Sequence, residues 1–292
     1  MRFRLSLFLV LAAAIAVGCG NGGEKSDPEA LSGTGVKTND PGPIHVHGLG
    51  INPADKSLFI ATHTGLFRAA PGEENANRVG DRFQDTMGFT ISGPDRFLGS
   101  GHPDGRDRLP PFLGLIRSAN AGESWDPISL LGKSDFHVLE ARGTRVYGFG
   151  SDFDTRKEQL LVSDDGGREW RKGELPESLI ALAIDPQDPD QIIASGPAGL
   201  HRSEDAARNW ERFEGPPGLV GWHQDGRLYS IGADGSVNAS DSDGGSWRTV
   251  GQIDGQPAAF EVEGDDLYVA LHDGTIKRSD DNGRTWAVRS KP

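Results

Sequence analysis

The histidines of this sequence recur at related positions. Of the eight histidines, three directly follow closely similar apolar segments: His63, His102 and His272. The corresponding positions after three further segments of this kind hold Ser151, Pro197 and Ala233. Imidazole nitrogens bind zinc, copper and nickel, and the ring titrates near neutral pH. A repeated histidine on a repeated segment therefore predicts a metal-binding, ligand-binding or pH-titrating cluster.

A second group of possible ligands lies upstream of these segments. Equivalent positions in the first three repeats hold His47, Met87 and His137, and Met87 is the only methionine besides the first residue. His45 alternates with His47, and strand residues two apart share a face. Histidine with a thioether suits copper, whereas histidine alone suits zinc.

Asp104 lies in a long segment after His102 and is a candidate carboxylate ligand or imidazole partner. We therefore predict a metal or ligand site, with copper or zinc as candidate metals, from the following residues: His45, His47, His63, Met87, His102, Asp104, His137 and His272. The alternative is a structural polar cluster in which histidines bond carbonyls or water and Met87 is core. His201 and His223 lie outside this group and are interpreted as structural.

The elements that must position this group come from an internal repeat. Five tryptophans recur every 37 to 45 residues, each ending a variant of Ser-x-Asp-x-Gly-x-x-Trp. The repeated positions are Ser118, Asn120, Gly122 and Trp125; Ser163, Asp165, Gly167 and Trp170; Ser203, Asp205 and Trp210; Ser240, Gly244 and Trp247; and Ser279, Asp281, Gly283 and Trp286. Ala207 and Ser242 replace the glycine and the aspartate in the third and fourth copies.

This octapeptide resembles the Asp-box, or BNR repeat, of sialidases, sortilin-type receptor domains and related propellers. In such a turn the Asp side chain bonds neighbouring backbone amides, the Gly adopts a positive φ and the Trp packs beneath the hairpin. We expect the five boxes to be structural hairpin clips without a role in chemistry.

Six copies of one apolar strand count the repeats independently: residues 57–62, 96–101, 145–150, 191–196, 227–232 and 266–271. With a period near 40 residues, six such units predict an all-β, six-bladed β-propeller of four-stranded blades over residues 44–292. The first unit has no box between Ala70 and Asp81, as expected of a terminal repeat at ring closure. Because blades 1, 2 and 6 are neighbours in a closed ring, the histidines should converge on one rim.

The family resemblance also implies a possible exo-sialidase, whose mechanism uses three arginines, a Tyr nucleophile assisted by Glu, and an Asp acid. Arg68 recurs in register as Arg117, Arg202 and Arg278, and the three tyrosines share one point of the apolar strand: Tyr147, Tyr229 and Tyr268. Repeated residues of this kind are scaffold, so we favour a binding or interaction module without catalytic residues. A sialidase-like glycoside hydrolase and a pure assembly scaffold, as Asp-box proteins provide in photosynthetic complex biogenesis, are the alternatives.

The first residues predict export and a lipid anchor. Arg2 and Arg4 precede the apolar run from Leu5 to Val17, and the small residues before Cys19 resemble the lipobox of bacterial lipoproteins. We predict a signal peptide over residues 1–18, a flexible tether over residues 19–43 with a lipidated Cys19, and attachment to the extracytoplasmic face of the cell membrane. The alternative is an ordinary secretory signal with an incidental cysteine.

Charge and cysteine content narrow the partners further. The formal net charge is −13 and no run of Lys or Arg is present, which argues against nucleic acid as a partner. Cys19 is the only cysteine, so no intramolecular disulfide can form. We expect a monomer whose partner is an unidentified protein or small molecule.

Overall fold

The structure is a computed structural model that describes residues 40–241 and 244–292. Cys19, the predicted signal peptide and most of the predicted tether lie outside the described residues. Within them the chain forms strands and turns, with no helix long and apolar enough to cross a membrane.

Strands β1 to β24 follow one another in groups of four. The first three groups are β1 (Val46–Ile51), β2 (Leu58–Thr62), β3 (Gly65–Ala69) and β4 (Asn77–Arg78); β5 (Asp85–Gly93), β6 (Arg96–His102), β7 (Leu115–Ser118) and β8 (Asp126–Ser129); and β9 (Ser134–Arg142), β10 (Arg145–Asp152), β11 (Glu158–Ser163) and β12 (Arg171–Lys172). The last three are β13 (Ala181–Ile184), β14 (Ile192–Gly196), β15 (Gly199–Ser203) and β16 (Glu211–Phe213); β17 (Leu219–Trp222), β18 (Leu228–Ile231), β19 (Ser236–Ser240) and β20 (Trp247–Gln252); and β21 (Pro257–Glu263), β22 (Asp266–Leu271), β23 (Ile276–Ser279) and β24 (Ala287–Ser290).

Each group forms one antiparallel four-stranded sheet, and the six sheets are the blades of a ring. The first strands of successive blades contact one another, and β21 of the sixth blade contacts β1 of the first. This closed arrangement confirms the predicted six-bladed β-propeller. We call the four strands of each blade a to d, from the axis outward.

The core lies between blades rather than within one layer. Strand b of the first blade, β2, is buried at all five positions because both faces of a blade pack against neighbours. Between blades 2 and 3, for example, Leu98 and Leu115 pack against Phe136 and Val146. A strand buried on both faces has no need of polar alternation, which is why the b strands read as continuous apolar runs.

The box turns share one hydrogen-bond pattern, shown here for blade 3. The Ser163 hydroxyl donates to Asp165 Oδ1 (2.8 Å) and accepts from the Gly167 amide (2.8 Å), while Asp165 Oδ1 accepts from the amide of Glu169 (3.0 Å). The copies at Ser203 and Ser279 repeat these contacts. Trp170 donates from its indole to Ser129 of the preceding blade (2.9 Å), and Trp210 and Trp247 donate to carbonyl oxygens of their preceding blades, so these three boxes also join two blades.

The last strand closes the ring through side chains. Arg289 in β24 donates to the carbonyl oxygens of Ala69 (3.1 Å), Ala70 (2.9 Å) and Glu73 (2.6 Å) in blade 1. The Ser290 hydroxyl and the Lys291 amide both donate to the Glu74 carbonyl. These contacts lie where blade 1 carries no box, and they take the place of the clip that joins the other blades.

Candidate functional site

The rim residues lie at β-bulges in the innermost strands. In strands β1, β5, β9 and β21 the pairing with strand b skips one residue, which is His47, Met87, His137 and Ala258 respectively. Blades 4 and 5 pair without this shift. A bulge bends the strand and re-aims its side chains, and bulges are common beside functional sites. The ligand-type residues predicted at this position thus share a backbone feature as well as a register.

The first cluster joins blades 1 and 2. Asp85, at the start of β5, lies with Oδ2 2.9 Å from His63 Nδ1 and with Oδ1 3.5 Å from His47 Nε2. The ligand atoms of these three residues all lie within 4.8 Å of one another. The Asp85 side chain is only 12% exposed. His47 Nε2 and Asp85 Oδ1 are both buried without a hydrogen-bond partner within the described part of the chain.

The His47–Asp85 spacing matches that of two ligands of one metal ion, while His63 and Asp85 lie at hydrogen-bond distance. At 3.5 Å the His47 and Asp85 atoms are too far apart for a normal hydrogen bond, yet two ligands about 2.1 Å from a tetrahedral ion stand about 3.4 Å apart. Two imidazoles and one carboxylate are a donor set that binds zinc and other transition metals. Three protein ligands also leave a coordination position open for water or a ligand.

His45 lies beside this cluster in a strained backbone conformation. Its ring centroid is 6.2 Å from that of His63, and its φ is +54°, in the left-handed region that a non-glycine residue rarely adopts. Strain of this kind is typical of functional sites. The His45 side chain is exposed and within reach of the open side of the cluster.

The second cluster joins blades 2 and 3. Asp135 Oδ2 lies 3.1 Å from His137 Nε2 and 3.5 Å from His102 Nε2. His102 Nδ1 donates to the Pro111 carbonyl (2.8 Å), so the loop after β6 holds its ring. Hydrogen bonding to Asp135 raises the pKa of His137.

The other three predicted residues are placed differently. Met87 is half-buried at its bulge, and His272 is exposed with no side-chain contact inside the described ranges. Asp104 is buried and bound by the Phe83 amide (2.8 Å) and by the guanidinium of Arg106 (2.6 Å), which holds the pKa of Asp104 far below its usual range. It secures the segment after His102 and does not contact an imidazole.

The axial channel carries two further acidic residues. Glu140 in β9 and Glu261 in β21 come from opposite blades and line both channel cavities, of about 90 and about 220 Å³. The cavity nearer the rim is also lined by His47 and His137. Burial raises the pKa of Glu140 to about 8, and burial together with the Glu140 charge raises that of Glu261.

Sequence reasoning missed all four of these carboxylates. Asp85 and Asp135 could have been found, because each lies two residues before the bulge position, in the same register. Glu140 and Glu261 also share a register, three residues after the bulge position, but register alone does not place them in the channel, because an acidic residue in a strand usually faces solvent. His201 and His223, interpreted as structural, pair with Glu177 and Asp225 and contact none of the predicted ligand residues within the described structure.

Comparison with known proteins gives fold likeness only. No protein-family model and no curated protein sequence matches this chain. Among solved structures, the Niastella koreensis GH74 enzyme is similar with a TM-score of 0.60 and 12% identity, over 85% of this chain and 45% of that one. The gluconolactonase XC5397 from Xanthomonas campestris has a TM-score of 0.62 and 17% identity, over 79% and 84% of the two chains.

YCF48 from Cyanidioschyzon merolae is similar at a TM-score of 0.51 and 15% identity, over 85% of each chain. This chain spans less than half the length of the GH74 structures that it resembles. At these identities the likeness establishes the propeller fold.

Proposed function

We propose that this protein is an exported, lipid-anchored Asp-box propeller that binds a transition-metal ion, copper or zinc, at His47, His63 and Asp85. The bound ion keeps an open coordination position at the rim, where a small molecule or a protein side chain can bind. The protein acts as a binding module, with its ligand face at the end of the propeller where the b strands end.

One observation carries this proposal: a buried carboxylate oxygen and a buried imidazole nitrogen face each other at 3.5 Å without another partner within the described residues. An unsatisfied buried polar atom costs about 1 to 3 kcal/mol. A metal ion bound to both atoms removes that cost for the imidazole nitrogen and for the carboxylate oxygen at once. The half-exposed His63 and the strained His45 stand on the solvent side, where an ion can enter.

The test is metal analysis of the full chain, purified in detergent without a histidine tag. We expect zinc or copper to bind the wild type at the first cluster, and we expect Asp85→Asn to lower that affinity by about 100-fold or more, because loss of a direct ligand exceeds the 10 to 100-fold typical of outer partners. His272→Ala is the matched control, since it removes an exposed rim imidazole that pairs with no carboxylate within the described residues. Unchanged metal binding in Asp85→Asn would contradict the proposal.

Export and anchoring rest on the sequence around Cys19, where small residues follow a short apolar run. A lipidated Cys19 would hold the propeller at the membrane surface on a tether of about 25 residues, leaving the rim accessible. We expect Cys19→Ser to move the protein from the membrane to the soluble fraction. Retention of the variant in the membrane fraction would contradict the lipid anchor.

A glycoside hydrolase is the second candidate, and the channel carboxyls favour it. Glycosidases use two acidic residues, one of them with a raised pKa, and Glu140 and Glu261 are two acidic residues that line the same cavities, both with a raised pKa. One of the GH74 structures of similar fold is a xyloglucanase from Xanthomonas campestris, so we choose xyloglucan as the substrate to test. Hydrolysis of xyloglucan oligosaccharides that is lost in Glu140→Gln but kept in Asp85→Asn would favour this candidate over the metal site.

A further inference from the structure

The histidine and carboxylate pairing occurs twice, one blade apart. In blade 1 the residue that follows strand b is His63, and it contacts Asp85 at the start of the next blade. In blade 2 the residue at the end of strand b is His102, and it faces Asp135 at the start of the next blade. The propeller repeat therefore places a second histidine and carboxylate pair, here called the second copy, at the next blade boundary. The residue equivalent to His47 is Met87, and His137 of the same strand as Asp135 lies beside the carboxylate instead.

The second copy has a preset imidazole. A carbonyl oxygen can only accept, so the 2.8 Å contact with Pro111 requires the proton of His102 to be on Nδ1. In the neutral ring, Nε2 then carries a lone pair, and it faces Asp135 Oδ2 at 3.5 Å. A second imidazole edge held by a backbone carbonyl is the usual support of a metal-binding histidine.

The carboxylate of this copy needs a positive charge. Asp135 is 4% exposed, and its Oδ1 is buried with no hydrogen-bond partner within the described residues. Two acceptor groups, the His102 lone pair and the buried carboxylate of Asp135, thus face each other, which is unfavourable unless a cation lies between them. His137 Nε2 reaches the same oxygen at 3.1 Å, and its ring, 48% exposed, has room to turn.

We propose that His102, Asp135 and His137 bind a second divalent metal ion, of the zinc or copper class that imidazole and carboxylate ligands suit. This inference extends the proposed function from one metal centre to two at the same rim. Each centre has its own carboxylate and its own two histidines, so a substitution can remove either centre without removing a ligand of the other. The two centres flank the mouth of the channel, where His47 of the first and His137 of the second line one cavity.

The experiment is a zinc titration by calorimetry of the full chain in detergent, with bound metal counted after dialysis. We expect two equivalents in the wild type and in His272→Ala. We expect one equivalent in Asp135→Asn, bound at the first centre, and one equivalent in Asp85→Asn, bound at the second centre. Circular dichroism checks that the variants fold. If Asp135→Asn does not fold, His102→Gln replaces it, because that side chain is 40% exposed and its loss leaves the core intact.

The outcomes separate the two proposals. One equivalent that is lost in Asp85→Asn and kept in Asp135→Asn overturns the second site and leaves the proposed function standing. One equivalent that is lost only in Asp135→Asn supports the second site and contradicts the first. A wild type that binds no zinc or copper overturns both, and protonated His137 then supplies the cation beside Asp135.

Discussion

At the scale of single residues, the rim and the channel hold carboxyl groups in two different states. Asp85 and Asp135 are nearly closed off from solvent, but each is flanked by two imidazoles that can share a cation with it. Glu140 and Glu261 lie on opposite sides of the channel, in blades 3 and 6. Within the described structure no basic side chain donates a hydrogen bond to either carboxyl group. Buried without a counter-charge, they are stabilised in the protonated form.

This difference predicts how stability depends on pH. Between about 4.5, the ordinary pKa of Glu, and about 8, the folded chain keeps a proton on Glu140 that the unfolded chain releases. The free energy of unfolding should therefore fall as pH rises through this window, by up to about 1.4 kcal/mol per pH unit for each such proton. In the metal-free chain His137, whose pKa is also raised by Asp135, contributes stability that is present below its unfolded pKa and lost as pH rises through the folded one.

Denaturant unfolding of Glu140→Gln between pH 5 and pH 9 measures the effect. We expect the variant to lose the Glu140 part of the decline, while Glu261 still contributes its own part, and to be the more stable chain at pH 8. Glu204→Gln, at an exposed position of blade 4, is the control and should follow the wild type. A Glu140→Gln profile that parallels the wild type would show that Glu140 is ionised at neutral pH.

The sequence predicted part of this site for a physical reason. His47, Met87 and His137 could be aligned because the propeller repeat gives each blade the same register. The carboxylate that His47 and His63 approach belongs to the next blade, so Asp85 contacts His63 across 22 positions of sequence and a blade boundary that no local pattern marks. Asp104 looked equally suitable, and Arg106, two residues further on, neutralises it instead.

At the scale of elements, two devices recur: the bulge in strand a and the box turn between strands c and d. The bulge is present in blades 1, 2, 3 and 6 and absent from blades 4 and 5, and the ligand-type residues follow the same division. The period of the repeat could be read from the tryptophans, but a skipped pairing partner leaves no trace in composition. Strand number and order were predictable, whereas the aim of the rim side chains was not.

The box turn makes a sharp prediction at Gly167. Its φ is +87°, and a Cβ there would lie 2.0 Å from Leu115 Cδ2 of the preceding blade. Gly167→Ala combines backbone strain with overpacking and should lower the free energy of unfolding by about 2 kcal/mol or more. Gly143→Ala is the matched control, because its φ is +59° but nothing lies within 4 Å of the new Cβ, so strain alone should cost about 1 kcal/mol. Thermal or urea unfolding measures both, and equal losses would mean that the box does not join blades 2 and 3.

At the scale of the whole molecule, stability depends on how the ring closes. Five blades follow a neighbour along the chain, but blade 6 meets blade 1 only by docking of the two ends of the propeller. The inner strands β21 and β1 pack together, and on the outside Arg289 binds three carbonyl groups of the segment that lacks a box. The sequence predicted a degenerate first unit without a box. The Arg289 contacts explain how blade 1 is joined to blade 6 in the absence of a box turn.

Removing the Arg289 contacts should destabilise the junction between blade 6 and blade 1, which we call the seam. Arg289→Ala deletes three hydrogen bonds from a charged donor, and a loss of about 2 kcal/mol in unfolding free energy is expected, since one such bond contributes about 1.5 to 3 kcal/mol where it is shielded from water. Hydrogen exchange should increase first in β4 and β24. Arg248→Ala, whose partner is a single exposed carboxylate, is the control and should change stability by less than about 1 kcal/mol. Exchange that rises evenly over all blades would contradict a local role at the seam.

Because every sheet consists of four consecutive strands, the junction between β24 and β1 lies between two sheets and divides neither of them. The same is true of each connection from one blade to the next. Joining the two ends of the propeller and opening the chain in the linker between blades 3 and 4 would thus leave all six sheets covalently whole. Such a circular permutant should fold to the same ring and bring new termini to the outer edge, away from the histidines, which makes that linker a suitable place to attach a reporter without disturbing the rim.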